Sequence, residues 1–475
     1  QMMKETEDVV HMSLDFLPLK SYANITEGNA LRLDWESAIP KHELNYIMGN
    51  PPFVGYSLQS KSQKEDILSV YVDEKGKPYK TAGKIDYVSG WYFKAAQLMQ
   101  GTAIRTAFVS TNSITQGEQV AGVWRPLYER FGIHIDFAHR TFRWDSEASL
   151  KAHVHCVIVG FNAATSAVPK VIYIGERSQT VENINAYLLD APDIFVESRN
   201  HPLCKIPEMI KGSSPVDGGG FFLNEEEYNL FCLQEPKSLR YIRKFYGAKE
   251  YLHNIPRWCL WLNGISPSEL STMPMVKQRV VAVKEFRLAS TKAATRRYAD
   301  YPLRFMELRQ PNADYILIPR HSSENRKYIP FGFMSADVVC GDANNMIPDA
   351  TLYHFGVLIS NVHMAWMRAV CGRIKSDYRY SNDVVYNNFP WPTPTDAQKA
   401  KIEQTAQAIL DARALYPDAS LAELYDETTM PPELRKAHQQ NDRAVMQAYG
   451  FSVKDMTESK CVAELMRMYQ TLTEQ

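Results

Sequence analysis

Leu44-Asn45-Tyr46-Ile47-Met48-Gly49-Asn50-Pro51-Pro52-Phe53 is the stretch on which the fold turns. Its first part reads as a short strand. Asn50-Pro51-Pro52-Phe53 then specifies a stiff loop directly after it, because each proline fixes its own φ and holds the backbone before any ligand arrives. The side-chain carbonyl of Asn50 and the backbone carbonyl of Pro51 are two acceptors that can hold an exocyclic amine. The ring of Phe53 offers a flat face to a planar base. The plain structural reading is a strand-ending turn, since Asn-Pro and Pro-Pro are common turn dipeptides.

Strand patterns recur downstream at Ile104–Ser110, Ile133–Ala138 and His153–Phe161. Between the first two strands, Val88, Trp91, Tyr92, Ala95 and Leu98 fall at helical spacing on one apolar face. A second helix is expected over Val120–Phe131. Alternating strands and helices imply a doubly wound α/β sheet. Asn50 then lies at the carboxyl end of a strand, where open α/β sheets hold their ligands.

The four-residue motif resembles that of the DNA amino-methyltransferases, (Asp/Asn/Ser)-Pro-Pro-(Tyr/Phe/Trp). The likeness extends to Asp86-Tyr87-Val88-Ser89-Gly90-Trp91-Tyr92, Val109-Ser110-Thr111-Asn112-Ser113-Ile114-Thr115-Gln116-Gly117-Glu118-Gln119 and Phe137-Ala138-His139-Arg140-Thr141-Phe142. It continues in Arg257-Trp258-Cys259-Leu260-Trp261-Leu262, Ser322-Ser323-Glu324-Asn325-Arg326-Lys327-Tyr328-Ile329-Pro330 and Asn388-Phe389-Pro390-Trp391-Pro392. In this order the blocks resemble the MmeI-like family of single-chain restriction–modification enzymes, from about Ile25 to about Phe451.

The resemblance implies an incomplete S-adenosylmethionine-dependent methyltransferase sheet (Rossmann-like α/β) over residues 1–165. An α+β target-recognition domain over 166–391 and a helical domain over 392–475 follow. It implies transfer of a methyl group from S-adenosylmethionine to the N6 amine of a flipped adenine in double-stranded DNA, with no metal. Asn50, Pro51, Pro52 and Phe53 form the base pocket, and Phe142 supplies the second stacking face, with Trp144 as its rival. Asn29, with Ala30, stands where relatives carry an acidic residue touching the cofactor's adenine, and Asn50 lies beside the cofactor. Asn29 reads equally well as a turn residue after Gly28. His139 and Arg140 are read as structural. His153 and His155 are expected to include one satisfied buried histidine.

Residues 1–49 hold only two glycines, Gly28 and Gly49, and no counterpart of the family's Gly-rich cofactor turn or its nuclease. The expectation is a C-terminal portion of a longer protein, inactive alone and partnered by the missing N-terminal part. In such a portion the third strand of the fold, around Asn24–Gly28, has no native neighbour. Leu44–Met48 becomes an open edge, covered by fold-back of the chain or by a second chain rather than left bare.

The chain has 475 residues and a formal net charge of −1, so no global field draws it to a polyanion and any DNA site must come from local clustering. The most basic stretch carries Lys277, Arg279, Lys284, Arg287, Lys292, Arg296, Arg297, Arg304 and Arg309. Lys292, Arg296 and Arg297 are the candidates for phosphate contacts, against the alternative of a solvated face. Glu324 and Arg326 can read base edges, or hold a loop together as a pair. Seven scattered cysteines form no CxxC pair, which excludes a zinc-finger or disulfide framework and points to reduced thiols in the cytoplasm. No apolar run is long enough to span a bilayer. Residues 165–200 read as a connector, and Asn388–Pro394 as a stiff linker before a helix capped by Thr395 and Gln398. Ile402, Ala406, Ile409 and Leu410 form that helix's stripe, and a further helix is expected over Pro432–Tyr449.

Two other functions fit the residues. The chain can be a non-catalytic DNA-binding module lacking the cofactor loop. Methylation of a protein glutamine uses the same four-residue motif, but needs no long region after residue 165.

Overall fold

The computed structural model describes residues 25–144, 154–164 and 168–474. Its first sheet contains β1 (Tyr46–Gly49), β2 (Arg105–Thr111), β3 (His134–Trp144), β4 (Val154–Asn162), β5 (Lys170–Ile174) and β6 (Arg177–Val181), in the order β1-β2-β4-β3-β5-β6. β1 runs parallel to β2, and β4 is antiparallel to both β2 and β3. The carboxyl ends of β1, β2 and β3 therefore share one edge of the sheet. Helices α1 (Lys61–Val70), α2 (Ser89–Leu98) and α3 (Glu118–Phe131) cover it. The expected face of α2 is the buried one. Tyr92 is fully enclosed, stacked on Phe161 and edge-on to Phe108 and Trp124.

Two expectations for this region change. Residues 170–181 are not a connector but the β5–β6 hairpin, because Val171 and Ile172 pair with Phe137 and Ala138 and so extend the sheet. Asn24 lies outside the described residues, and 25–28 form no strand. Among the described residues, those before β1 pack onto the helices rather than the sheet edge. Leu31 is buried against α1 and α2, and Lys94 Nζ donates to the carbonyl of Leu31. Among the described residues β1 pairs only with β2, and Tyr46 and Met48 stay 66% and 80% exposed. Among the described residues the edge is open, and burial of Leu31 under the helices is what directs residues 29–35 away from it.

Gly160 on β4 faces the ring of Phe137 so closely that an added Cβ would lie 2.0 Å from its Cε1. At Gly117, before α3, φ is +54° and an added Cβ would meet the Cα and N of Gly372 at 3.2 Å. This is where the first domain touches the second.

The second region holds β7 (Ile210–Lys211), β8 (Tyr315–Pro319), β9 (His321–Ser322), β10 (Gly332–Met334), β11 (Asn344–Pro348), β12 (Gly372–Ile374) and β13 (Asp377–Arg379). They form a four-stranded sheet, β10-β8-β11-β7, and a three-stranded one, β9-β13-β12. A further sheet around Ile242–Tyr246 and Trp258–Leu260 packs with α4 (Pro274–Leu288) in a separate apolar cluster. After α5 (Asn361–Val370) come three long helices: α6 (Asp396–Ala414), capped by Thr395 and Gln398 as read, α7 (Pro432–Ala448) and α8 (Glu458–Thr473).

The segment read as a linker is instead interior. Asn388, Phe389 and Trp391 are buried, and Asn388 Nδ2 donates to the carbonyls of Glu197, Asp383 and Val384. One apolar core thus runs from the first sheet through this strap to the C-terminal helices. The strap's prolines supply shape, not reach.

Gly160→Ala is expected to destabilise the chain by about 1–3 kcal/mol, because the methyl cannot coexist with the Phe137 ring. Urea unfolding checks this, with Gly83→Ala, where nothing lies within 4 Å and φ is not left-handed, as the control for space.

Candidate active site and nucleic-acid interface

Pro51 is buried, Phe53 half-buried, and Asn50 and Pro52 are exposed at the end of β1. The loop is pinned from behind. Tyr87 N donates to the carbonyl of Val54 at 2.9 Å, and Leu58 N to Gly55 at 2.8 Å. The buried carboxylate of Asp86 accepts from Tyr56 N at 2.9 Å and from the Ser113 hydroxyl. Gln119 Oε1 accepts from Asp86 N. Two sequence blocks, 86–92 and 109–119, therefore act as the brace of the Asn-Pro-Pro-Phe loop.

Asn29 and Ala30 sit at the far end of the same brace. Asn29 Oδ1 accepts from Leu31 N at 3.0 Å, the turn role, while its Nδ2 donates to Asp66 Oδ2 at 2.9 Å. The Ala30 carbonyl accepts from the Trp35 indole. Tyr87 OH donates to the same Asp66 oxygen at 2.8 Å, and Arg32 Nε to the other at 2.6 Å. Burial pushes the Asp66 carboxyl up, but the hydrogen bonds from Asn29, Arg32 and Tyr87 outweigh it and hold it below its ordinary value. Burial and the Asp66 carboxylate push the Tyr87 phenol up to about 12. Tyr87 thus ties the Asn29 turn to the loop after Asn50, through its hydroxyl at one end and its backbone at the other.

Phe142 lies on β3 beyond an irregularity in its pairing, opposite Cys156. Cys156 also faces Thr111 on β2, and Gly49 faces Phe108, so Phe142 stands level with a point three residues past Gly49. It shares the edge with Asn50, but β2 and β4 lie between them, a spacing of roughly 14 Å. The side chain of Trp144, and His153, lie outside the described residues. His155 is half-buried.

Facing the loop from the second domain is a cleft of about 320 Å³, lined by Tyr56 and Asp86 on one side and by Arg320, Arg373 and Arg379 on the other. Its arginines are crowded. Burial, and then the like charge of Arg379, lowers the Arg320 pKa. Burial also lowers that of Arg140 on β3, and Arg373 adds to the effect. Among the described residues the side chains of Arg140 and Arg379 have no hydrogen-bond or ion-pair partner. Arg373 reaches Glu324 only at 4.0 Å. Guanidinium groups held together this way attract an anion. The sequence reading did not single out Arg320, Arg373 or Arg379: Arg373 and Arg379 lie close together on the β12–β13 hairpin, but Arg320 is distant in the chain. Opposite them, burial and a hydrogen bond shared with Asp383 raise the Glu118 carboxyl, so the acids here offset the arginines only in part.

The basic stretch divides. Arg287 is wholly buried and donates to the carbonyls of Pro215, Val216, Tyr298, Tyr301 and Arg304. Arg279 is paired with Glu227. Arg287 holds structure and cannot meet phosphates, because its donors are already satisfied, while Arg279 is committed in part, to Glu227 and the Phe222 carbonyl. Lys292, Arg296 and Arg297 are exposed around a short helix, Ala293–Arg297, and Arg296 is steadied by the carbonyls of Ser290 and Thr291. Glu324 is exposed and Arg326 half-buried on one loop, and the nearest partner of Glu324 is Arg373, not Arg326. Among the described residues no cluster of histidines, cysteines and carboxylates could hold a metal, and no helix is long and apolar enough to cross a membrane.

The sheet ends in this braced loop, and an α+β region and a helical tail follow it. Comparison with known proteins is specific. The MmeI DNA-methyltransferase domain matches residues 1–174, the MmeI target recognition domain 190–393 and the MmeI C-terminal domain 394–475. The chain belongs to the MmeI family. It is 38% identical over 477 residues to DNA methyltransferase A of Bacillus subtilis (strain 168), covering 100% of this chain and 53% of that protein. It is 46% identical to the Type IIL restriction–modification enzyme MmeI, solved in complex with DNA. That match has a TM-score of 0.90 and covers 100% of this chain and 63% of that one. The chain thus spans about half the length of the curated relative it matches.

Asp86→Asn should loosen the loop without unfolding the domain. Hydrogen exchange at the amides of Tyr56 and Leu58 is expected to quicken by about tenfold, with α2 and α3 unchanged.

Proposed function

We propose that this chain provides the methyltransferase and DNA-reading parts of an enzyme that transfers methyl from S-adenosylmethionine to the N6 amine of an adenine flipped from duplex DNA. The observation that carries this reading is the braced loop at the carboxyl edge of the sheet. It presents Asn50 outward with its backbone fixed on two sides. In this proposal Asn50 Oδ1 and the Pro51 carbonyl accept from the adenine amine, Phe53 stacks on the base, and Phe142 closes the pocket from β3. The amine is aligned for in-line attack, and its proton leaves to solvent. The cofactor supplies the electrophilic methyl group. Asn29, Ala30 and Asn50 are assigned to its side of the site, with Asn29 acting through the Asp66–Tyr87 chain. The working division is 1–165 for the catalytic part, 166–391 for target recognition and 392–475 for the helical domain. The assigned compartment is the prokaryotic cytosol or nucleoid.

DNA backbone contacts fall in two places in this reading. One is the exposed set Lys292, Arg296 and Arg297. The other is the crowded Arg140, Arg320, Arg373 and Arg379 beside the loop, whose mutual repulsion phosphates would relieve. Glu324 and Arg326 are assigned to base edges.

A second reading is favoured by the open β1 edge, which leaves Asn50 on the outermost strand among the described residues. By itself the chain would then bind DNA without methylating it. Tritiated S-adenosylmethionine with mixed-sequence duplex DNA separates the two, assayed on the chain alone and on the chain expressed with any coding sequence preceding it in the gene. Strong incorporation by the chain alone decides against the second reading.

In whichever form is active, Asn50→Ala should lower methylation on the order of a hundredfold or more. Gel-shift affinity on the same sample should stay within about twofold, since affinity comes mainly from phosphate contacts. Parallel loss of both would make Asn50 structural.

Double charge reversal, Arg320→Glu with Arg379→Glu or Arg296→Glu with Arg297→Glu, should weaken binding to all sequences alike. Each pair should reduce the slope of log affinity against log salt by about 1–2. A pair that leaves the slope unchanged belongs to a solvated face.

A further inference from the structure

The loop from Ser323 to Phe331 joins β9 to β10 and carries Glu324 and Arg326. It is gripped at three points. The carbonyl of Lys327 accepts from Arg368 Nη1 at 3.1 Å. The hydroxyl of Tyr328 donates to Asp442 Oδ2 at 2.7 Å. The carbonyl of Phe331 accepts from Arg413 Nη1 at 2.6 Å.

Each grip leads to a different C-terminal helix. Arg413 is on α6. Asp442 is on α7, and its other oxygen accepts from Asn361 N at 2.8 Å. Arg368, on α5, is clamped by Glu458 of α8 through hydrogen bonds of 2.8 and 3.0 Å. The grips are also linked to one another. Tyr328 stacks on His438 at 4.2 Å, His438 Nε2 shares a hydrogen bond with Tyr425 OH, and Arg413 Nε donates to that same hydroxyl.

Tyr328, His438 and Asp442 are buried. Burial is the main cause that pushes the Asp442 carboxyl up to about 6, with the bonds from Tyr328 and Asn361 opposing it. A carboxylate, an imidazole and a phenol are a costly way to glue a loop to helices, since apolar contacts would hold it at lower cost. Directional bonds do what apolar contacts cannot, which is to forbid the loop from sliding.

We propose that the C-terminal helical domain is part of the DNA-reading apparatus: Asp442, Arg413 and, through Arg368, Glu458 are positioning residues that set the register of the Glu324–Arg326 turn. This rests on the reading that the turn faces DNA bases. The turn itself is tied by Arg326 N to the Ser323 carbonyl at 3.1 Å, by Asn325 N to the Ser323 hydroxyl at 3.3 Å and by Glu324 N to Asp377 Oδ1 of β13 at 3.4 Å. β13 thus holds the start of the turn, and the helices hold the stretch that follows it.

The test uses the whole chain with Tyr328→Phe, and Arg413→Lys as an independent variant at another grip. Hydrogen exchange is read over residues 323–331, and sequence preference is read by selecting bound duplexes from a randomised pool. Loop amides are expected to exchange about tenfold faster while α6, α7 and α8 keep their protection. Preference is expected to collapse by about tenfold at one or two adjacent base pairs, the same ones in both variants and in Glu324→Ala, with the other positions intact. Unchanged loop exchange in both variants overturns the positioning role. Faster loop exchange with an unaltered or uniformly weakened preference overturns its link to base reading. Failure of the unmutated chain to bind any duplex overturns the functional reading beneath it and leaves the exchange result to judge the positioning.

Discussion

The side-chain amide of Asn388 donates to three backbone carbonyls in the interior, at Glu197, Asp383 and Val384. Without it, the carbonyls of Glu197 and Val384 would lose this donor, at a cost of about 1–3 kcal/mol where they are shielded from water, while Asp383 would keep the bond from Arg199 N. These bonds lock the strap of residues 384–391 against the segment leaving the first sheet. The Trp366 indole, donating to Val385, locks it against α5. The seam between the domains inherits its geometry from this lock. Asp383 and Arg379 stand just before the strap, and both face the brace of the Asn-Pro-Pro-Phe loop.

Most of the first domain was legible in the sequence because its strands and helices carry strong periodic patterns, and Asn50-Pro51-Pro52-Phe53 marks one strand's end. The face of α2 and the cap at Thr395 follow from local chemistry alone. What was missed has two causes. Lys170–Val181 carries a local hairpin signal, Val171-Ile172-Tyr173-Ile174 before a Gly175-Glu176 turn, which the reading as a connector passed over. Asn388–Pro394 carries the local signature of a linker, and its burial is decided by carbonyls about 190 residues away.

The candidate site shows the same division. The residues of the loop itself could be named from the motif. The groups that hold it, Asp86 above all, lie in quoted blocks but had no assigned role until the hydrogen bonds were seen. Charge was read least well. A cluster along the chain suggested a single DNA-facing surface, yet Arg287 turns inward to satisfy carbonyls. Of the arginines lining the cleft, Arg373 and Arg379 share one short hairpin, β12–β13, but Arg320, just past β8, is some fifty residues away in the chain and joins them only through the pairing of β9 with β13. The near-zero net charge conceals this arrangement, because long-range neutrality does not prevent local crowding in a seam.

The contact of Gly117 with Gly372 has a consequence for mechanics. Two backbones that meet with no side chain between them leave no space for one to roll over the other. With the buried strap beside it, the seam behaves as a weld rather than a hinge. A protein built this way meets its ligand with its two domains already in their final relation. Where that ligand is duplex DNA, as proposed above, the distortion needed for a fit would fall on the duplex, and sequences that bend and unstack easily would gain an advantage at positions the protein never touches.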